Sequence, residues 1–111
     1  MNRVLFLCSR NRLRSPTAEH IFSARNDMEV ASAGLSPDAA TPCMPELVEW
    51  ATIIFVMEKS HKTKLTKKFK RHLKHAKIIF LDIPDDFAFM APDLVDILQK
   101  RVCSYLAQSR S

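Results

Sequence analysis

Glycine is almost absent from this chain, with one in 111 residues, and 47% of the positions are hydrophobic, which describes a compact globular chain rather than a disordered one. Cysteine is sparse as well. The three cysteines, at positions 8, 43 and 103, match no zinc-binding spacing, and their odd number argues for reduced thiols and against a metal centre. Long hydrophobic runs are missing: the apolar stretch near Met1 spans a few residues and is followed by arginines, so neither a signal peptide nor a membrane span is read there. A cytoplasmic location is the expectation. The chain shows no repeat and no linker, and its length fits one domain over residues 1–111, with a single core and no room for a separate regulatory module.

Short β-rich runs alternate with helical periodicity. Strands are expected near residues 3–8, 28–33, 52–57 and 77–82, and helices near 16–26, 45–51, 59–75 and 92–108. Such alternation calls for right-handed crossovers and a parallel sheet with helices on both faces, a three-layer α/β/α arrangement. The runs Thr52 to Val56 and Ile78 to Leu81 are apolar without alternation, as strands buried on both faces should be. Ligands in these folds sit beyond the carboxyl ends of the strands, where Cys8 and Asp82 to Asp85 both fall.

Cys8 closes the run Val4-Leu5-Phe6-Leu7 and opens Ser9-Arg10-Asn11-Arg12-Leu13-Arg14-Ser15-Pro16, a C-x5-R-S-P pattern. A lone cysteine ending a strand is usually inert core. Average residue usage, however, places Arg and then Ser or Thr at those spacings behind only about one per cent of cysteines. Moving a phosphoryl group onto sulfur needs a thiolate at the floor of an anion site, backbone N–H groups around it and a guanidinium to hold oxygens in pairs. Residues 9–15 supply such a wrapping, and Ser15-Pro16 reads as N-cap and first helical position, aiming a helix start at the loop.

These residues resemble the signature of the low-molecular-weight protein tyrosine phosphatase family, in which a strand, the C-x5-R-[ST]-P loop and a helix follow in that order. Ala31-Ser32-Ala33-Gly34, Ile54-Phe55-Val56-Met57 and Ile83-Pro84-Asp85 resemble later segments of the family. The resemblance implies the phosphotyrosine protein phosphatase I-like fold, with four parallel strands, and no cofactor. It implies Cys8 as nucleophile, Arg14 and the loop 9–15 as the phosphate cradle, Asn11 as a loop-shaping residue and Ser15 as hydroxyl donor to the thiolate. The expected substrate is a phosphorylated protein or small phosphomonoester. A general acid must protonate the leaving oxygen. The family's Pro-Asp-Pro pattern points to Asp85, with Asp82 in reserve and Asp86 where the second Pro usually stands. Arg10 replaces the family's Gly and must accept a Gly-like backbone or redirect the loop. Leu13 replaces a second Cys found in many members. The segment from Gly34 to Trp50, with Pro37, Pro42 and Pro45, is shorter than usual, which removes part of one pocket wall. Trp50 reads as a core anchor.

Nine Lys and Arg with no acid lie between Lys59 and Lys77, so the other positions carry eight cations against twelve acids, and the chain's net +5 resides on one helix. That helix is a surface for polyanion contact or a solvated face with Leu65, Phe69 and Leu73 turned inward. His61, His72 and His75 read as surface residues. Two other functions stay open. An arsenate reductase shares the anion loop but needs a relay of cysteines, and Cys43 and Cys103 are far apart in sequence. A non-catalytic phosphate- or RNA-binding module would use the loop and the basic helix without turnover.

Overall fold

The computed structural model describes residues 2–73 and 75–109. Its centre is β1 (Asn2–Cys8), which is apolar on both faces and pairs in parallel with β2 (Met28–Gly34) on one side and β3 (Ile53–Val56) on the other; β4 (Lys77–Phe80) adds to β3. The order β2-β1-β3-β4 puts Cys8 opposite Gly34 at the C-terminal edge of the central strand. Val4, Phe6 and Cys8 face one core with Ala18 and Phe22 of α1 (Arg14–Phe22) and Leu94, Leu98 and Val102 of α4 (Pro92–Ser109). Leu5 and Leu7 face a second core with Val48 of α2 (Pro45–Trp50) and Leu65 and Phe69 of α3 (Lys59–Phe69). The period-two alternation of β1 therefore feeds both cores, and the expected α/β/α sandwich is present. Among the described residues no helix is long and apolar enough to cross a membrane.

Three local expectations are corrected. Helix α1 starts at Arg14 with Leu13 in the cap position, so Ser15 is not the N-cap; Pro16 still sits in the first turn, where its missing N–H costs nothing. The same helix ends at Phe22 rather than near 26, and just past its end the Ser23 hydroxyl donates to the His20 carbonyl. Helix α3 stops at Phe69 and passes into a 3₁₀ turn over Lys70–His72. Five cations between Lys64 and Arg71 repel one another at i,i+3 and i,i+4 spacing, while Phe69 buries its ring and Leu73 packs half-buried beside it. Lys74 lies outside the described residues.

Candidate active site

The carboxyl edge of β1 turns directly into the anion loop. The carbonyls of Cys8, Ser9 and Arg10 accept hydrogen bonds from the N–H groups of Leu35, Ser36 and Ala40, which ties the loop's oxygens to the 35–40 segment. Among the described residues no hydrogen bond takes up the N–H groups of Arg10 to Leu13, so these donors remain for an anion. The chain's one glycine explains itself here. A Cβ on Gly34 would fall 2.6 Å from the Ser9 carbonyl oxygen and 2.5 Å from the Ala39 Cβ, so only Gly lets the loop lie against β2. Asn11 takes the left-handed backbone, φ 56°, while Arg10 is not among the positive-φ residues and needs no Gly-like conformation.

Cys8 is buried, with Sγ 2.9 Å from the Ser15 hydroxyl oxygen. Asn11 Nδ2 donates to the hydroxyls of both Ser15 and Ser32, each at 2.9 Å, and Ser32 donates to Glu19 at 2.5 Å. Because Ser15 Oγ accepts from Asn11, its own hydrogen is available to the sulfur, 2.9 Å away, or to the Ala33 carbonyl at 3.5 Å. A chain of polar groups running back to the Glu19 carboxylate thus orients the donor to Cys8.

Arg14 is 2% exposed. Its Nη1 donates to the Ile83 carbonyl at 2.7 Å and meets Glu58 Oε2 at 2.7 Å, and its Nε lies 3.6 Å from Asp85 Oδ1. With Nη1 occupied by Ile83 and Glu58, the opposite edge, Nη2 and the Nε that faces Asp85, is the fork that can grip two oxygens of an oxyanion. Cys8, Ser9, Arg10, Arg12, Leu13 and Arg14 line a cavity of about 620 Å³ together with Ser36, Lys64 and Asp85. Asp85 therefore shares the cavity with Cys8 and Arg14. Asp82 does not line it: its backbone is left-handed at φ 57°, and its carbonyl and that of Leu81 both accept from Arg101 Nη1. Asp86 is exposed outside it. Asn11 and Ser15 act behind the loop rather than in the cavity wall. Trp50 is half-buried against the second core, consistent with an anchor, and its carbonyl takes Arg3 Nε.

Sequence reasoning missed Glu58 and His61. Glu58 follows β3 at the ligand edge, where Met57 already marked the strand end. His61, read as a surface residue, is 1% exposed. Its position four residues before Leu65 and eight before Phe69 puts it on the buried stripe, which was the available signal. Nδ1 accepts the Glu58 N–H at 3.1 Å, so the neutral ring carries its proton on Nε2, which reaches Ser9 Oγ at 3.1 Å. Burial, then the charge of Arg14, lowers its pKa from 6.5 to about 4. The folded state thus refuses a proton that the unfolded chain accepts below pH 6.5. Stability should fall as pH drops from about 6.5 to about 4, by about 3 kcal/mol for a shift of this size. Urea unfolding of wild type and His61→Gln across that range tests this; an equal slope in both proteins would refute it. His72 pairs with Glu49 at 2.7 Å on the surface, and His75 is exposed.

The remaining cysteines do not approach Cys8. Cys43 lies in the core on the opposite face of the sheet, where burial pushes its thiol up to about 11, and Cys103 is exposed on α4 beside Arg25. A relay of thiols has no path.

Residues 3–52 match the sequence family described as low molecular weight phosphotyrosine protein phosphatase. No curated protein sequence matches the chain significantly. The fold is similar to that of the YwlE arginine phosphatase from Geobacillus stearothermophilus, 21% identical with a TM-score of 0.76, over 99% of this chain and 96% of that one. It is similar to Vibrio vulnificus Wzb in complex with benzylphosphonate, 21% identical, TM-score 0.76, over 96% and 98%. The tyrosine phosphatase Wzb from Escherichia coli K30 in complex with phosphate gives 16% identity and a TM-score of 0.78 over 96% and 97%. The arsenate reductase alternative is not favoured. The matched segment contains the C-x5-R-S-P loop, so over residues 3–52 the chain is similar to the low-molecular-weight phosphotyrosine protein phosphatase family, and its fold is that of the phosphatases above.

Proposed function

We propose that the chain hydrolyses phosphomonoesters, either phosphotyrosine-like groups on proteins or small phosphomonoesters, through a cysteinyl-phosphate intermediate. It acts as one catalytic unit over residues 1–111, in the cytoplasm, without cofactor or metal. The observation that supports this most is one cavity lined by Cys8, Arg14 and Asp85, with the Asp85 carboxylate 3.6 Å from Arg14 Nε. In the first step Cys8 Sγ attacks phosphorus while the P–O bond to the leaving group breaks. Arg14 and the N–H groups of residues 9–15 hold the equatorial oxygens, and protonated Asp85 gives its proton to the leaving oxygen. In the second step the Asp85 carboxylate takes a proton from water, the water oxygen attacks phosphorus, and the S–P bond breaks to restore the thiolate, steadied by Ser15. Cations of residues 59–77 outside the cavity offer a face to an acidic partner.

A small aryl phosphate should be turned over in buffer containing a chelator, with vanadate and phosphate competing because each occupies the same cradle. Absence of turnover, or turnover that vanadate leaves untouched, would overturn the reading.

A further inference from the structure

The fold neighbours act on different phosphorylated groups by their own descriptions, an arginine phosphatase in one case and a tyrosine phosphatase in another, so the walls of this chain's cavity must be read for themselves. Of the nine residues that line it, none is aromatic and Leu13 is the one large apolar side chain. Four are cations. Arg14 is buried and committed to the phosphoryl group, but Arg10, Arg12 and Lys64 are exposed around it. Among the described residues none of these three is in an ion pair, and the one carboxylate in the wall, Asp85, faces Arg14. Asp38 is near enough to Arg10 and Arg12 for their charges to lower its pKa, yet its larger influences are the Ser36 hydroxyl and its own backbone N–H, and it lies outside the wall. Lys64 is the member of the basic helix that reaches the cavity, whereas Lys62, Lys67 and Lys70 line a separate shallow depression with Thr63 and Thr66.

A cavity of about 620 Å³ is much larger than one phosphoryl group. An aryl ring entering it finds no partner ring to stack on, while an anion finds three uncommitted cations in one field. We infer that the substrate carries a second anionic group beside the scissile phosphate, which Arg10, Arg12 and Lys64 hold while Arg14 holds the phosphoryl oxygens. This rests on the phosphatase reading and narrows it. Arg10 stands where the resembled family has Gly, so the preference is built partly by a side chain on the anion loop itself.

The chemistry has two sources, a phosphopeptide with acidic flanks and a small phosphomonoester bearing a carboxylate or second phosphate. Two matched pairs separate them: a phosphotyrosine peptide with Glu or with Gln on both flanks, and carboxyphenyl phosphate against phenyl phosphate. The acidic member of at least one pair should show a kcat/KM higher by about 10-fold at low salt, since exposed pairs each contribute a factor of about 2–5. The ratio should shrink at about 0.3 M salt, where screening is short-ranged. Preference confined to the peptide pair assigns the peptide source, and preference confined to the small pair assigns the small one. Arg10→Gly and Lys64→Met should each reduce the ratio by about 2–5-fold, while Lys100→Met, a charge removed from α4 away from the cavity, should leave it unchanged. Ratios within 2-fold of unity on both pairs, or ratios that respond equally to Lys100→Met, overturn the inference. Equilibrium binding of the two peptides to Cys8→Ser is measured alongside. If wild type hydrolyses none of the four esters, the phosphatase reading falls; tighter binding of the acidic peptide then keeps Arg10, Arg12 and Lys64 as a subsite for a second anion without turnover, and equal binding removes that subsite as well.

Discussion

Arg14→Lys is expected to lower kcat/KM for a small aryl phosphate by about 10²–10³-fold, the usual cost of removing one well-placed donor from a developing oxyanion. The replacement keeps the positive charge, so Glu58 and the buried site are not left with an unpaired partner. It removes the planar fork. A lysine ammonium in this setting has Glu58 and the Ile83 carbonyl as its nearest acceptors, the two groups that now hold Nη1, and it has no second edge to turn toward the cavity. The inhibition constant of phosphate should weaken with kcat/KM, because in the proposed mechanism the same edge holds the ground-state anion. Cys8→Ser should abolish turnover while phosphate binding persists, which separates nucleophile from clamp. Turnover by Arg14→Lys within a few-fold of wild type would remove the guanidinium from the mechanism and leave phosphate recognition to the loop N–H groups alone.

The features legible in the sequence are those written locally. The C-x5-R-S-P run places Cys8 at a strand end and Arg14 at the helix start within a span of seven residues, and continuous apolar strands announce a parallel sheet without reference to anything distant. Ser15 shows how a correct residue can carry an incorrect reason. As a Ser before a Pro it looks like a helix cap, yet the cap is Leu13 and the hydroxyl is drawn to Cys8 and Asn11 instead. Glu58 and His61 were less legible because their roles depend on β3 lying beside β1, which brings residues more than forty positions away against Arg14 and Ser9. A run of lysines on α3 also hid the buried stripe to which His61 belongs, since composition there argued for solvent. The contribution of Lys64 to the cavity could not be read at all from a helix with a lysine on nearly every turn.

The assignment of the general acid is settled by leaving group rather than by overall loss of rate. Asp85 lines the cavity with its carboxylate 3.6 Å from Arg14 Nε, whereas Asp82 stands outside it on a left-handed backbone held by Arg101. Losing a general acid costs about 10²–10⁴-fold when the leaving oxygen is a strong base. The cost shrinks for a nitrophenolate, which departs with little protonation. Because kcat/KM reports events up to the first irreversible step, it isolates ester cleavage from hydrolysis of the phosphoenzyme. Asp85→Asn should therefore lower kcat/KM for phenyl phosphate by about 10²-fold or more and leave that for nitrophenyl phosphate nearly intact. Its kcat on nitrophenyl phosphate should still fall, with a burst of nitrophenol, since in the proposed mechanism the same carboxylate activates the water that cleaves the S–P bond. Asp82→Asn should touch both substrates alike and weakly, because Asn also tolerates the left-handed backbone that this position requires. A leaving-group-dependent loss at Asp82 in place of Asp85 would move the acid to the end of β4 and reduce Pro84-Asp85-Asp86 to a turn.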